Sequence, residues 1–254
     1  MVKRKMVIFG SLLILLIMIL YLNNDFVLSN STNSDNSTIE VLIYNGTGVM
    51  ESSVDGIEDC LNESNNQNMS SHKFDYATNS IINSTTLSGY DVLILPGGEA
   101  IDYFDNDEID NASIKQFVSE GNGYIGICAG AYAASNYIIG DFQGWGLAPD
   151  VNTTTESYEG VLTISTTSFG TKLLNGTLTD IYMATGPAMT TNNNQILMAT
   201  YADNNTGYKN YPAIIGDTYG NGRVILSGPH PELDPQNPQL LTNMLLWASK
   251  KIDT

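Results

Sequence analysis

Hydrophobic patterning divides the chain into three stretches. Met6 to Leu22 is an unbroken apolar run of 17 residues without a charge, and Asn23 to Thr38 is almost devoid of apolar residues after Leu28. From Ile39 onward, short apolar runs alternate with amphipathic stretches, which predicts a layered α/β domain over 39–254. Ile39 to Tyr44 (IEVLIY) and Tyr90 to Leu95 (YDVLIL) are compact enough for central strands buried on both faces, and Lys73 to Ala77 reads as another strand. Val54, Ile57 and Leu61 recur at helical spacing across Ser53 to Glu63, followed by a polar loop over Asn62 to Ser71. Ile114, Phe117 and Val118 do the same across Ala112 to Glu120.

The next strand, around Tyr124, Ile125 and Ile127, stops at Cys128, and an Ala-rich segment with helical preference follows at once (GNGYIGICAGAYAA, 121–134). Strand, tight turn and helix with a cysteine at the turn is the pattern of a nucleophile elbow, in which small neighbours leave the reactive atom exposed above a sheet. After it the pattern changes. Gly144 to Pro149 reads as a loop, and Thr-, Tyr- and Val-rich runs at Gly160 to Ser165, Asp180 to Ala184, Gln195 to Tyr201 and Tyr211 to Asp217 predict added antiparallel strands. Gly222 to Ser227 (GRVILS) is a further core strand, and Pro238 to Lys251 carries Leu240, Leu241, Met244, Leu245 and Trp247 at helical spacing. The whole predicts a doubly wound, mainly parallel sheet with antiparallel additions.

Charge bears on location and partners. Lys3, Arg4 and Lys5 precede the apolar run, so residues 1–5 are expected in the cytoplasm, 6–22 as a transmembrane signal anchor and 23–38 as a disordered stalk. A cleaved signal peptide is the alternative, although no A-x-A-like arrangement follows Leu22. The domain is then expected outside the cell membrane. All 27 acidic residues lie beyond Leu22, against 7 of the 10 basic ones, a formal charge of −20 that argues against nucleic acid as a partner. Ten Asn-x-Ser/Thr sequons, at Asn30, Asn36, Asn45, Asn62, Asn68, Asn83, Asn111, Asn152, Asn175 and Asn204, are compatible with an outward location. Cys60 and Cys128 are the two cysteines, and a disulfide between them is the alternative to a reactive Cys128.

Three predicted strand ends carry unusual residues: Pro96-Gly97-Gly98, Cys128, and His230 with Glu232. Ligands of open parallel sheets sit beyond the carboxyl ends of the strands, where these would converge. A thiol, an imidazole and a carboxylate are the requirements of thiol nucleophilic catalysis, with the N–H groups of Gly98 and Ala129 as candidate oxyanion donors. Tyr44, Asn45, Tyr103 and Tyr132 are candidates to line the crevice as substrate contacts. Clustered metal-ligand spacing is absent, so neither metal nor other cofactor is expected, and His72 reads as an exposed loop residue.

The PGG after an apolar strand, the GICAG elbow and the late HPE triplet resemble the class I glutamine amidotransferase superfamily. Within it, YNGTGV (44–49), LILPGGEAIDYF (93–104), GYIGICAGAYAAS (123–135) and GRVILSGPHPE (222–232) are most similar to the amidotransferase-like domain at the N-terminus of some biotin-protein ligases. The resemblance implies a flavodoxin-like fold, with Cys128 as nucleophile, His230 as base and Glu232 as the orienting carboxylate. No stretch resembles the ligase's GRGRxG biotin loop, and no synthase domain follows to receive ammonia. The expected activity is therefore that of a thiol hydrolase or amidase on a small-molecule or peptide substrate. A non-catalytic binding domain on the same fold is the alternative, and a redox-active thiol protein comes third.

Overall fold

The computed structural model describes residues 38–140, 142–155, 157–173, 178–193 and 196–253. The expected basic flank, anchor and nearly all of the stalk lie outside these residues, and among the described residues no helix is long and apolar enough to cross a membrane. Ile39–Tyr44 (β1), Phe74–Asn79 (β2), Val92–Leu95 (β3), Gly123–Ile127 (β4) and Gly222–Ser227 (β13) run parallel in the spatial order β2-β1-β3-β4-β13. This is the 2-1-3-4-5 order of a flavodoxin-like doubly wound sheet, whose switch point lies between β1 and β3. Antiparallel strands extend it: Pro212–Tyr219 (β12), Leu197–Tyr201 (β11), Glu159–Thr166 (β8) and Leu178–Ala184 (β9) complete nine strands.

Alternation within the parallel strands explains the two cores. Val41, Ile43, Val92, Ile94, Ile125 and Ile225 face one side, where Val54, Ile57 and Leu61 of the helix Glu51–Gln67 (α1) meet Leu241, Met244 and Leu245 of the C-terminal helix Pro238–Ala248 (α5). Leu42, Leu93, Leu95, Tyr124, Val224 and Leu226 face the other, under the helices Ala100–Phe104 (α2), Asn111–Ser119 (α3) and Ala129–Ala134 (α4). Side-chain caps mark two helix starts: Asp110 accepts from the amides of Ala112 and Ser113, and Asn237 from that of Leu240, with Pro238 in the first turn.

The structure departs from the expected pattern first at α1, which runs on to Gln67 through most of the stretch expected as a polar loop. Residues 144–147 are the expected loop, but Ala148–Thr154 continues as a strand (β7), which pairs with Ser135–Ile139 (β5) and Ala188–Thr191 (β10). With Phe142–Gln143 (β6) these form a second, four-stranded sheet in the order β10-β7-β5-β6. Helix α2 was also not anticipated. It is one short turn-and-a-half following Gly97-Gly98, too brief for a periodic signal.

Candidate active site

The elbow is built by close approach of backbone. A side chain at Gly126 would collide with the Gly130 carbonyl, and one at Gly130 with the Leu95 carbonyl, so the cysteine is flanked by positions only glycine fits. Cys128 itself has φ 51° and ψ −104°, a conformation a non-glycine residue avoids at a cost of about 1–3 kcal/mol. Its neighbours hold it there: its amide donates to the Ser227 carbonyl at 2.9 Å, and its carbonyl accepts from Ala131 and Tyr132, each at 3.0 Å, as α4 begins. The thiol is buried and donates to the Ala184 carbonyl at 3.4 Å.

His230 and Glu232 follow β13, beside β4 in the sheet, so the strand order delivers them to the cysteine. Both side chains are fully buried, and His230 Nδ1 lies 2.7 Å from Glu232 Oε1. The same carboxylate oxygen accepts from Ser53 Oγ at 2.6 Å, and Ser53 Oγ accepts from the Gly97 amide at 3.0 Å. A relay of backbone, hydroxyl and carboxylate therefore fixes the ring through Nδ1. The His230 amide, donating to the Tyr182 carbonyl at 2.7 Å, fixes its backbone.

Among the described residues, His230 Nε2 and Glu232 Oε2 are buried without a hydrogen-bond partner. Burial alone would lower the proton affinity of the ring, but the Glu232 charge and the adjacent Cys128 thiol outweigh it and push its pKa up to about 10. The ring is thus held ready to carry a proton beside the thiol, the arrangement a thiolate–imidazolium pair requires.

Two cavities meet at the thiol. One, of about 290 Å³, is lined by Gly98, Ile101, Phe104, Cys128, Tyr132 and Phe142 among others. The second, of about 350 Å³, shares Gly98, Glu99, Cys128 and Thr185 with it and extends to Val49, Met50 and Glu159. Gly98 borders the thiol in both, and Ala129, the first residue of α4, has an amide with no acceptor inside the helix.

Of the residues singled out as substrate contacts, Tyr132 lines the cleft. Tyr44 and Tyr103 do not. They are sealed beneath it, edge to face with ring centroids 5.5 Å apart, their hydroxyls donating to Thr47 and Glu108 and to the Pro96 carbonyl respectively. Asn45 stands exposed after β1, its amide donating to the Asn79 carbonyl, and lines neither cavity. Ser53 was missed because its partner lies 179 residues away and nothing local marks the pair. Thr185, with φ 55° unusual for a β-branched residue, was also missed; the Thr-Gly-Pro run at 185–187 was its only signal. Cys60 and Cys128 are both free thiols, and no three His, Cys, Asp or Glu among the described residues cluster to hold a metal.

Residues 39–144 match the family described as biotin-protein ligase, N terminal. That segment carries β1 to β6, the Gly97-Gly98 turn and the elbow, while His230 and Glu232 lie beyond it. Solved structures extend the likeness over the domain. PurLQS from Thermotoga maritima is 15% identical with a TM-score of 0.57, over 84% of this chain and 98% of the other. A ThuA-like protein from Bacteroides uniformis is 15% identical with a TM-score of 0.58, over 87% and 94%. The glutaminase domain of Trypanosoma brucei CTPS, solved with bound acivicin, is 12% identical with a TM-score of 0.53, over 85% and 95%. At such identities the likeness is one of fold alone, shared with PurLQS, the ThuA-like protein and the glutaminase domain of CTPS. No curated protein matches.

Proposed function

We propose that the chain is a thiol hydrolase or amidase that works through an acyl-Cys128 intermediate. The observation that carries this is the buried Glu232–His230 pair, 2.7 Å apart, packed beside a cysteine held in a strained turn at the floor of a cleft. Cys128 gives its thiol proton to His230 Nε2 and its sulfur attacks the substrate carbonyl, forming the C–S bond while the carbonyl electron pair moves onto oxygen toward the Gly98 and Ala129 amides. Collapse breaks the bond to the leaving amine, which takes the proton from His230. Water then attacks the thioester as His230 accepts its proton, releasing the acid and restoring the thiol. Glu232 holds the Nδ1–H tautomer so that Nε2 serves the reaction.

Cys128→Ser and His230→Ala are each expected to abolish labelling of the protein by an electrophilic amide analogue, with circular dichroism confirming that each variant is folded; His230→Ala also leaves buried Glu232 unpaired and should lower the melting temperature. Labelling undiminished in either variant would refute the reading. A second reading, a non-catalytic binding domain, draws on the burial of the Cys128 thiol and its bond to the Ala184 carbonyl. It predicts labelling that is indifferent to His230. For location, the proposal is a single-pass anchor at 6–22 with the domain outside the cell membrane, as the basic flank and apolar run suggest. Protease added to intact cells should then degrade the domain, and full protection would refute the orientation.

A further inference from the structure

The lining of the cleft carries information about the acyl group. The lobe beside Cys128 is walled by Ile101, Phe104, Tyr132, Ile138 and Phe142. Ile101 and Phe142 leave 44% and 48% of their surface exposed although both are large and apolar. Phe104 stacks on Phe142 with centroids 6.4 Å apart and 16° between planes, and meets Trp145 edge to face at 5.9 Å, so this wall is fixed rather than collapsible. Among the described residues no Lys or Arg lines either lobe, whereas Glu99 borders both and Glu159 the second. A free amino acid offered as acyl donor brings a carboxylate beside its ammonium, and although Glu99 and Glu159 suit the ammonium, the carboxylate would find no cation here.

We infer that the acyl part of the substrate is apolar, a single aromatic ring or a short aliphatic chain seated between Ile101 and Phe142, rather than the zwitterionic side of glutamine. The inference rests on the proposed chemistry at Cys128 for the word acyl, but the pocket's preference is a binding property and is measured without turnover. The occupant follows from position: the apolar wall opens directly onto the sulfur, so what it holds is whatever is attached to the attacked carbonyl. Enclosure of an apolar group of this size separates ligands by roughly 10- to 200-fold in such pockets.

The test uses the full chain in lipid nanodiscs, with Cys128→Ser to prevent reaction and phenylacetamide, acetamide and L-glutamine as probes followed by ligand-observed NMR. Phenylacetamide is expected to bind at least about tenfold more tightly than acetamide or glutamine. Ile101→Asp and Phe142→Asp, at half-exposed positions that tolerate a polar side chain, should each remove that preference, and Phe142→Tyr should keep it. Glutamine binding as tightly as phenylacetamide, or a preference untouched by both Asp variants, would overturn the inference. A parallel arm separates it from the chemistry. In the wild-type background, benzyl chloromethyl ketone should alkylate Cys128 in a His230-dependent manner. If His230→Ala does not slow that alkylation, the hydrolase reading fails while the binding result stands on its own.

Discussion

Gly97 offers the sharpest test of whether the His230–Glu232 pair is the working part of the site. A Cβ built there would press on Cε1 of His230, inside any distance real Cβ atoms keep, and would stand 3.2 Å from Nδ1 and 3.4 Å from Nε2. The backbone at 97 is in no left-handed conformation, so Gly97→Ala adds a methyl without backbone strain. The ring cannot easily give way. Its backbone is bonded to Tyr182 and its Nδ1 to Glu232, and that carboxylate is tied through Ser53 to the Gly97 amide itself. Relief of the overlap requires a shift of about 1 Å, and overpacking of this kind costs about 1–3 kcal/mol of stability. A displacement of that size at a catalytic group lowers rate by about 100-fold. The assay is the rate of His230-dependent alkylation of Cys128 by benzyl chloromethyl ketone, read by intact mass, alongside the melting temperature. The expected result is a folded variant, a few degrees less stable, whose Cys128 reacts about 100-fold more slowly. Wild-type reaction rate in a folded Gly97→Ala protein would refute the claim that ring position governs the thiol.

The remaining predictions concern the same network. Ser53→Ala removes the hydroxyl between the Gly97 amide and Glu232 Oε1, leaves a buried amide without its acceptor, and should cost about 1–3 kcal/mol by urea denaturation. Stability should also depend on pH through His230. Its folded pKa, about 10, lies above the unfolded value of about 6.5, so the stabilisation is fully present below pH ~6.5 and is lost as pH rises through about 10. Urea midpoints measured across that window should fall with pH, and His230→Gln should flatten this part of the profile; an unchanged slope would refute the assignment. Burial first, then the charges of Glu232 and Glu63, push the Cys60 thiol up to about 12, so iodoacetamide at neutral pH should modify Cys128 and spare Cys60, as peptide mapping will show.

How far the chain disclosed itself follows from the physics of each signal. Four of the five parallel strands, β1, β3, β4 and β13, are short, apolar and almost wholly buried, and Leu93 to Leu95 or Ile125 to Ile127 can be little else, whereas β2 (FDYATN) is a largely exposed edge strand. Cys128, His230 and Glu232 stood out because reactive residues at strand ends violate the rule that cores are apolar. The second sheet was not legible. Its strand Ala148–Thr154 (APDVNTT) holds a proline and an aspartate and buries only Ala148, Val151 and Thr153, so its pairing comes from tertiary context rather than from periodicity. Tyr44 and Tyr103 have the same composition whether they rim a cleft or fill the space beneath it. Only the packing of β1 against α2 decides, and it puts both rings under the Pro96–Gly98 turn, where Tyr103 holds the Pro96 carbonyl.

Backbone strain ties these parts together. Of the non-glycine residues with positive φ among those described, Asn68 caps α1 and Asn210 and Lys250 sit at turns, positions where a left-handed residue is ordinary. Cys128, at the elbow turn, and Thr185, at the bend after β9, are neither asparagine nor helix C-caps, and both line the same cleft. Thr185 is held by its amide, which donates to the Tyr158 carbonyl at 2.9 Å, and by its carbonyl, which accepts from Tyr132 Oη at 3.1 Å. Tyr132 belongs to the helix that Cys128 begins. The elbow thus helps fasten the loop that brings the Ala184 carbonyl to its own sulfur, and β9, at the far edge of the nine-stranded sheet, is also the strand whose Tyr182 carbonyl anchors His230. The antiparallel extension therefore holds the imidazole and covers the thiol at once. Strain at two residues of one cleft persists only where surrounding structure over-determines it, and here each of the two segments is part of what holds the other.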